Sequence, residues 1–275
     1  MDVRDLTGAT ALVTGAGSGI GRELARECGR RGARLAICEL DEGRLGEAEE
    51  DLRGLGCEVL ARRVDVGSRA EMEGFAADVH GEWGAVDLLV NNAGVGLGGF
   101  FLETSLDDWE WIVRTNFFGV VHGCHLFVPE MVKRGRPGHV VNVASAAAYA
   151  PLPAQSAYAA TKSAILGLSV AMHGELRSAG IGVTAICPGF IDTAIVERSR
   201  LYGAAADPEN RRRTAAFYRR RGYGPERVAR NTLRAVQRNR AVAPISAEAW
   251  GLYYASRVVP GFLRWANGRL AGWVS

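Results

Sequence analysis

The sequence has no CxxC pair, no short-range cysteine framework and no apolar run long enough to cross a bilayer, and each absence narrows what the chain can be. Five cysteines, Cys28, Cys38, Cys57, Cys124 and Cys187, are scattered over 275 residues, which argues against a disulfide scaffold. Three of them, Cys38, Cys57 and Cys187, lie in or beside strand-like runs, where a free thiol behaves as a small apolar side chain. That usage suits a reducing compartment. A dominant charge is also missing. The 33 basic and 30 acidic side chains leave a net charge of +3, and nucleic acid is not an expected partner. Met1–Gly8 is polar and lacks the apolar stretch of a signal peptide, so the expected location is the cytoplasm. No Pro- or Ser-rich linker interrupts the chain before Pro188, and there is no internal repeat.

What is present is a core-forming composition, 48% hydrophobic and 23% charged, arranged as alternating short apolar runs and helical stretches. Strands are expected at Ala9–Thr14, Arg34–Cys38, Cys57–Val64, Val86–Val90, His139–Ala144 and Gly182–Cys187. Helices are expected at Ile20–Arg31, Asp41–Leu55, Ser68–Glu82, Leu106–Lys133 and Gln155–Ser178. This alternation implies an α/β fold, a doubly wound Rossmann-type parallel sheet with right-handed crossovers. Beyond Pro188 the pattern loosens. Phe190–Gly224 is rich in Arg and Ala and is expected to add one or two helices. Pro225–Asn239 reads as a helix with proline in its first turn, and Ala241–Pro244 as a short last strand. The expected division is a dinucleotide-binding catalytic domain over 1–245, with a substrate-flanking region at 190–224, and a helical, aromatic-rich extension over 246–275.

The first strand runs into Thr14-Gly15-Ala16-Gly17-Ser18-Gly19-Ile20-Gly21. Glycines let the backbone turn tightly and approach an anion, and the helix that follows aims free N–H groups at it. The spacing is GxxxGxG, built by Gly15, Gly19 and Gly21, rather than GxGxxG. With a strand before and a helix after, it reads as a pyrophosphate site rather than a flexible turn. Glu39 ends the second strand, where a carboxylate accepts both hydroxyls of an adenosine ribose and repels a 2′-phosphate. NAD is therefore expected over NADP, with nearby Arg22 and Arg44 as the residues that could reverse the preference.

Tyr158 and Lys162 stand four residues apart and share one face of a helix. A phenol titrates near ~10 and is a poor base at neutral pH. A neighbouring ammonium and a cationic oxidised nicotinamide both favour its ionised form. Ser145 follows the strand His139–Ala144, at the sheet edge where ligands of open α/β folds sit, placed to hydrogen-bond a substrate oxygen. Together these residues suit proton transfer coupled to hydride transfer at a secondary alcohol or ketone.

The set TGxxxGIG at Thr14–Gly21, Asp65-Val66, Asn91-Asn92-Ala93-Gly94, Asn116, Ser145, Tyr158-x3-Lys162 and Pro188-Gly189 resembles the short-chain dehydrogenase/reductase family over roughly Leu6 to Thr193. The resemblance implies Asn116, Ser145, Tyr158 and Lys162 as catalytic residues, with Asn116 holding a water that links Lys162 to solvent. It implies a cofactor surface of Gly15, Ser18, Gly19, Ile20, Gly21, Glu39, Asp65, Val66, Asn92, Ala93, Gly94, Tyr158, Lys162, Pro188, Gly189, Ile191 and Thr193. A homodimer or homotetramer formed through long helices is implied as well.

Other features are weighed against these. His122 and His125, three apart on a helix, lack the companion ligands a metal needs, and no metal site is expected. Arg211-Arg212-Arg213 and Arg219-Arg220-Arg221 read as solvated helix faces, or as attractors of an anionic substrate tail or membrane surface. Trp250, Tyr254, Val258, Phe262 and Trp265 recur at helical spacing, flanked by Arg257 and Arg264 and interrupted at Pro260-Gly261. They suit packing on the domain or across a subunit boundary more than membrane contact. The expected reaction is hydride transfer between NAD(H) and a bulky hydrophobic secondary alcohol or ketone. An NADP-dependent ketoreductase and a non-catalytic dinucleotide-sensing regulator are the alternatives.

Overall fold

The computed structural model describes residues 1–274. The first half of the chain alternates β1 (Thr10–Thr14), α1 (Gly19–Gly29), β2 (Arg34–Glu39), α2 (Glu42–Gly54), β3 (Val59–Arg63), α3 (Arg69–Trp83) and β4 (Leu88–Asn91). Next come β5 (Leu97–Gly98), α4 (Leu106–Ile112), α5 (Gly119–Arg134), β6 (Gly138–Val143), α6 (Ser156–Glu175) and β7 (Ile181–Cys187). The remainder forms α7 (Ile195–Arg198), β8 (Arg200–Leu201), α8 (Pro208–Arg221), α9 (Pro225–Gln237), β9 (Val242–Pro244), α10 (Ala247–Val258) and α11 (Pro260–Val274). Seven strands pair in the order β3-β2-β1-β4-β6-β7-β9, all parallel. The order reverses between β1 and β4. Beyond the carboxyl ends of those two strands a crevice opens for a ligand.

Period-two alternation divides β1 between two cores. Ala11 and Val13 point to one face, where Leu24 of α1, Leu52 of α2 and Leu233 of α9 cover them. Leu12 points to the other, against Phe75 of α3, Phe127 of α5 and Ile165 of α6. Each large apolar side chain buried this way contributes roughly 1.5–3 kcal/mol. Parallel strands covered on both faces read as continuous apolar runs, as β1, β4 and β7 do here.

The stretch read as one helix over Leu106–Lys133 is continuous but not uniform. Between α4 and α5, Val113–Phe118 winds as a π-helix, a wider turn that shifts the helical register. Asn116 lies in it, fully buried. In the tail, α10 ends at Val258 and Pro260 opens α11, as proline's tolerance for a helix first turn allows. α10 is anchored by Ala249, whose carbonyl accepts the Tyr149 hydroxyl at 2.9 Å. α11 is tied through the Asn267 amide to the Pro151 carbonyl at 2.6 Å. Tyr254, Val258, Phe262 and Trp265 stay exposed.

Candidate active site

The glycine turn is shaped by its neighbours. Gly15 and Gly19 take φ of +64° and +55°, the left-handed region where glycine carries no steric penalty. A Cβ at Gly15 would stand 2.8 Å from the Ala93 Cα, and one at Gly21 only 2.2 Å from the Gly15 carbonyl oxygen. Asn92 staples the turn from outside, its amide donating to the carbonyls of Thr14 (3.0 Å) and Gly15 (3.1 Å). Thr14 Oγ1 in return accepts the N–H groups of Asn92 and Ala93, both at 3.0 Å. The open backbone at the start of α1 therefore belongs to a rigid cradle.

Glu39 lies at the end of this cradle with its carboxylate already engaged. It accepts the N–H groups of Gly17 (3.2 Å) and Leu40 (3.0 Å) and the Arg44 guanidinium (2.9 Å). Arg22 points away to Glu47 and Asp51, leaving Arg44 as the cation beside Glu39. On the adjacent wall Asp65 accepts the Gly67 N–H at 2.9 Å and faces Arg114 at 3.5 Å.

Tyr158 and Lys162 project from the first turns of α6, and Lys162 is 4% exposed. Lys162 Nζ donates to the Val143 carbonyl at 2.9 Å and lies 5.7 Å from the centre of the Tyr158 ring. Burial lowers the Lys162 pKa to about 8. The sequence reading expects the ammonium to draw the phenol toward ionisation. In the folded protein burial dominates instead, raising Tyr158 to about 12, and a hydrogen bond with the Ser145 side chain works against it. The physical reason is desolvation, which disfavours the charged form of both groups at once. Ser145 is itself oriented by the Ala147 N–H, which it accepts at 3.2 Å.

Asn116 stands behind the wall. Its Oδ1 accepts the Val95 N–H at 2.8 Å, and its Nδ2 donates to the Val95 carbonyl (3.0 Å) and to Thr161 Oγ1 (3.3 Å). Gly94 lies between the Asn116 amide and the Lys162 amine. A Cβ there would stand 3.2 Å from Asn116 Oδ1 and 3.5 Å from Lys162 Nζ.

These groups face one cavity of about 1020 Å³. Gly15, Ser18, Gly19, Ile20, Glu39, Asp65, Val66, Asn92, Ala93, Gly94, Ser145, Tyr158, Lys162, Pro188, Gly189, Ile191 and Thr193 all line it. Of the residues expected from sequence, Gly21 and Asn116 do not. Gly21 packs inside the turn, and Asn116 is sealed beneath Val95. His122 is turned to the Val66 carbonyl at 2.9 Å, and His125 is exposed. Among the described residues no cluster of His, Cys, Asp or Glu could hold a metal ion.

The structure also brings in residues that no motif announced. Arg198 of α7 donates to Ser18 Oγ at 2.8 Å, and Trp111, Arg211, Tyr218 and Leu252 complete the walls. Arg198, Arg211 and Tyr218 lie within the substrate-flanking region expected at 190–224, and Arg211 belongs to an arginine run.

Comparison with known proteins gives the chain its family. The sequence profile described as short chain dehydrogenase matches residues 9–201, and the chain belongs to that family. It is 40% identical over 256 residues to the probable oxidoreductase EphD of Mycobacterium tuberculosis, covering 92% of this chain but 43% of EphD. The chain thus spans less than half the length of that relative. It is 33% identical to the putative oxidoreductase SadH of the same species, over 92% of this chain and 91% of SadH. Among solved structures, a short-chain dehydrogenase/reductase from Burkholderia phymatum in complex with NAD superposes with a TM-score of 0.85. That match is 31% identical and covers 96% of each chain. The family uses a nicotinamide dinucleotide, and the residues present fit one. The cradle of Gly15, Gly19 and Gly21 is closed to any Cβ at two of its positions and opens into the cavity beside Glu39.

Proposed function

We propose that the protein is an NAD(H)-dependent dehydrogenase or reductase acting on a bulky apolar secondary alcohol or its ketone. The observation that carries this reading is the placement of half-buried Tyr158, buried Lys162 and Ser145 on the wall of one cavity. When bound, the dinucleotide would supply or accept the hydride. The protein's own groups handle the proton. Tyr158 gives its hydroxyl proton to the ketone oxygen or takes one from the alcohol, and Ser145 hydrogen-bonds and orients that oxygen. Lys162, fixed by the Val143 carbonyl, holds positive charge near the phenol as it ionises. Asn116 positions the Val95 backbone and the end of α6 that carries Tyr158. The glycine cradle would take the pyrophosphate, and Asp65, Val66, Asn92, Ile191 and Thr193 would flank the rest of the dinucleotide.

Replacing Tyr158 by Phe tests the assignment. Turnover of a secondary-alcohol panel, followed by NADH absorbance, is expected to fall below a few per cent while NADH binding persists. Substantial retained turnover would remove Tyr158 from its role. The preference for NAD over NADP rests on Glu39, whose carboxylate would repel a 2′-phosphate. Glu39→Ala is expected to narrow the ratio of NAD to NADP affinity, and an unchanged ratio would assign the preference elsewhere.

The proposed division is a catalytic unit over 1–245 and a helical extension over 246–275. A homodimer or homotetramer is supported by the exposed Phe118, Val132 and Val170 around α5 and α6, and light scattering on the purified chain tests it. The free thiols suit a reducing compartment such as the cytoplasm, and no helix among the described residues is long and apolar enough to cross a membrane.

A further inference from the structure

Arg211 lies in the first turn of α8, a helix crowded with arginine, and differs from its neighbours. Arg213 pairs with Glu209 (2.5 Å), Arg219 with Glu197 (3.7 Å) and Arg221 with Glu248 (2.9 Å). Arg212 and Arg220 are exposed to solvent. Of the six arginines in the two runs, Arg211 alone is partly buried and alone lines the cavity. It has no carboxylate partner among the described residues. Its Nη2 and Nη1 donate to the carbonyls of Ser199 (3.1 Å) and Glu197 (3.5 Å), and its Nε–H is buried with no acceptor.

The other arginines on the cavity wall are committed to its dinucleotide end. Arg44 pairs with Glu39, Arg114 faces Asp65, and Arg198 holds Ser18. Arg211, held to the carbonyls on either side of Arg198, lines the same cavity as the apolar Leu97, Trp111, Leu152, Leu201 and Leu252. A cation withdrawn from water and short of acceptors is costly unless an anion meets it. A single guanidinium matches a single carboxylate in both charge and forked geometry.

The helix also sets a distance. Arg211, Thr214 and Tyr218 line the cavity at a spacing that places them on one face of α8. Tyr218 is near enough to Tyr158 for the two phenols to interact electrostatically. Seven residues of α-helix rise about 10 Å.

We propose that Arg211, about 10 Å along α8 from Tyr218, anchors a carboxylate at the end of the substrate away from the reacting carbon, so that the cavity takes a hydroxy or oxo acid. This rests on the dehydrogenase reading of the same cavity. It narrows the substrate from an apolar alcohol to an amphiphile with an apolar middle and one anionic end.

Calorimetric titration of the NADH-saturated protein with decanoate and with methyl decanoate tests the proposal. Decanoate is expected to bind about tenfold or more tightly than its ester, the size of a charge-assisted hydrogen-bond pair. Arg211→Gln is expected to erase that difference by weakening decanoate alone, and Arg211→Lys to restore part of it. Equal affinities in the wild type, no decanoate binding, or a Gln variant that weakens both ligands alike or neither overturns it. Failure of NADH to bind would overturn the dinucleotide reading. Failure of decanoate on a protein that binds NADH overturns the carboxylate anchor alone.

Discussion

Lys162 holds its charge where the fold opposes it. An exposed lysine titrates at 10.5, and burial lowers this one to about 8, a difference worth roughly 3 kcal/mol against the folded state at neutral pH. Replacing it by Met removes that penalty and leaves the Val143 carbonyl without its donor, at a cost of about 1 kcal/mol. Lys162→Met is therefore expected to lose turnover yet unfold about 1–2 kcal/mol harder at pH 7, measured by urea denaturation. Because the folded pKa lies below the unfolded one, the unfolded chain holds more protons between pH 8 and 10.5. Wild-type stability then rises relative to the variant, and the gap closes across that window. Tyr158, raised to about 12, acts in the opposite sense above pH 10, equally in both proteins. A variant no more stable than wild type at pH 7 would show that the amine is not desolvated. The pairing of Tyr158 with Lys162 was legible in the sequence because helical periodicity alone places them together. Which of the six arginines in the two runs reaches the cavity was not, because that depends on where α8 comes to rest.

Among the elements, the glycine turn and the helices around it differ in what they tolerate. A methyl at Gly21 would meet the Gly15 carbonyl at 2.2 Å and the Asn92 amide at 2.4 Å, whereas one at Gly74, inside α3, meets nothing within 4 Å. Gly21→Ala is expected to weaken NADH binding more than tenfold, read by fluorescence quenching. Gly74→Ala is expected to leave binding alone and raise stability by about 1 kcal/mol, the helix-propensity difference. The strands were legible to within two residues, because each is an apolar run closed by a turn. The π-helical turn at Val113–Phe118 was not, since an inserted residue leaves the apolar pattern on either side intact. The pairing of β5 with β8 also escaped notice. Each strand has two residues, and the partners lie about a hundred positions apart in the chain.

At the scale of the whole molecule, the extension is two things joined at Pro260. α10 belongs to the site: Leu252 lines the cavity, Glu248 accepts the Phe190 N–H at 3.1 Å and pairs with Arg221, and Ala249 is buried. α11 is tied through Asn267 to the Pro151 carbonyl, and its Phe262 and Trp265 are each 60% exposed. Ending the chain after Val258 is expected to leave NADH affinity within about twofold. Ending it after Ile245 is expected to lower stability by roughly 2–4 kcal/mol, from lost burial and hydrogen bonds. Thermal melts and NADH titrations of the two truncations distinguish the helices, and equal effects would mean that α10 and α11 act as one unit. The aromatic stripe in the sequence showed that a helix was there, but not that its first half reaches the cavity.

The contact between α1 and α9 joins the beginning of the chain to its last quarter, and the Val3 N–H reaches Gln237 Oε1 at 2.9 Å. At ribosomal speeds of about 5–20 residues per second, the two helices emerge roughly 10–40 s apart. Throughout that interval the nascent chain presents the flank of α1 that α9 later covers, an adhesive surface that a holdase would shield until translation passes Gln237.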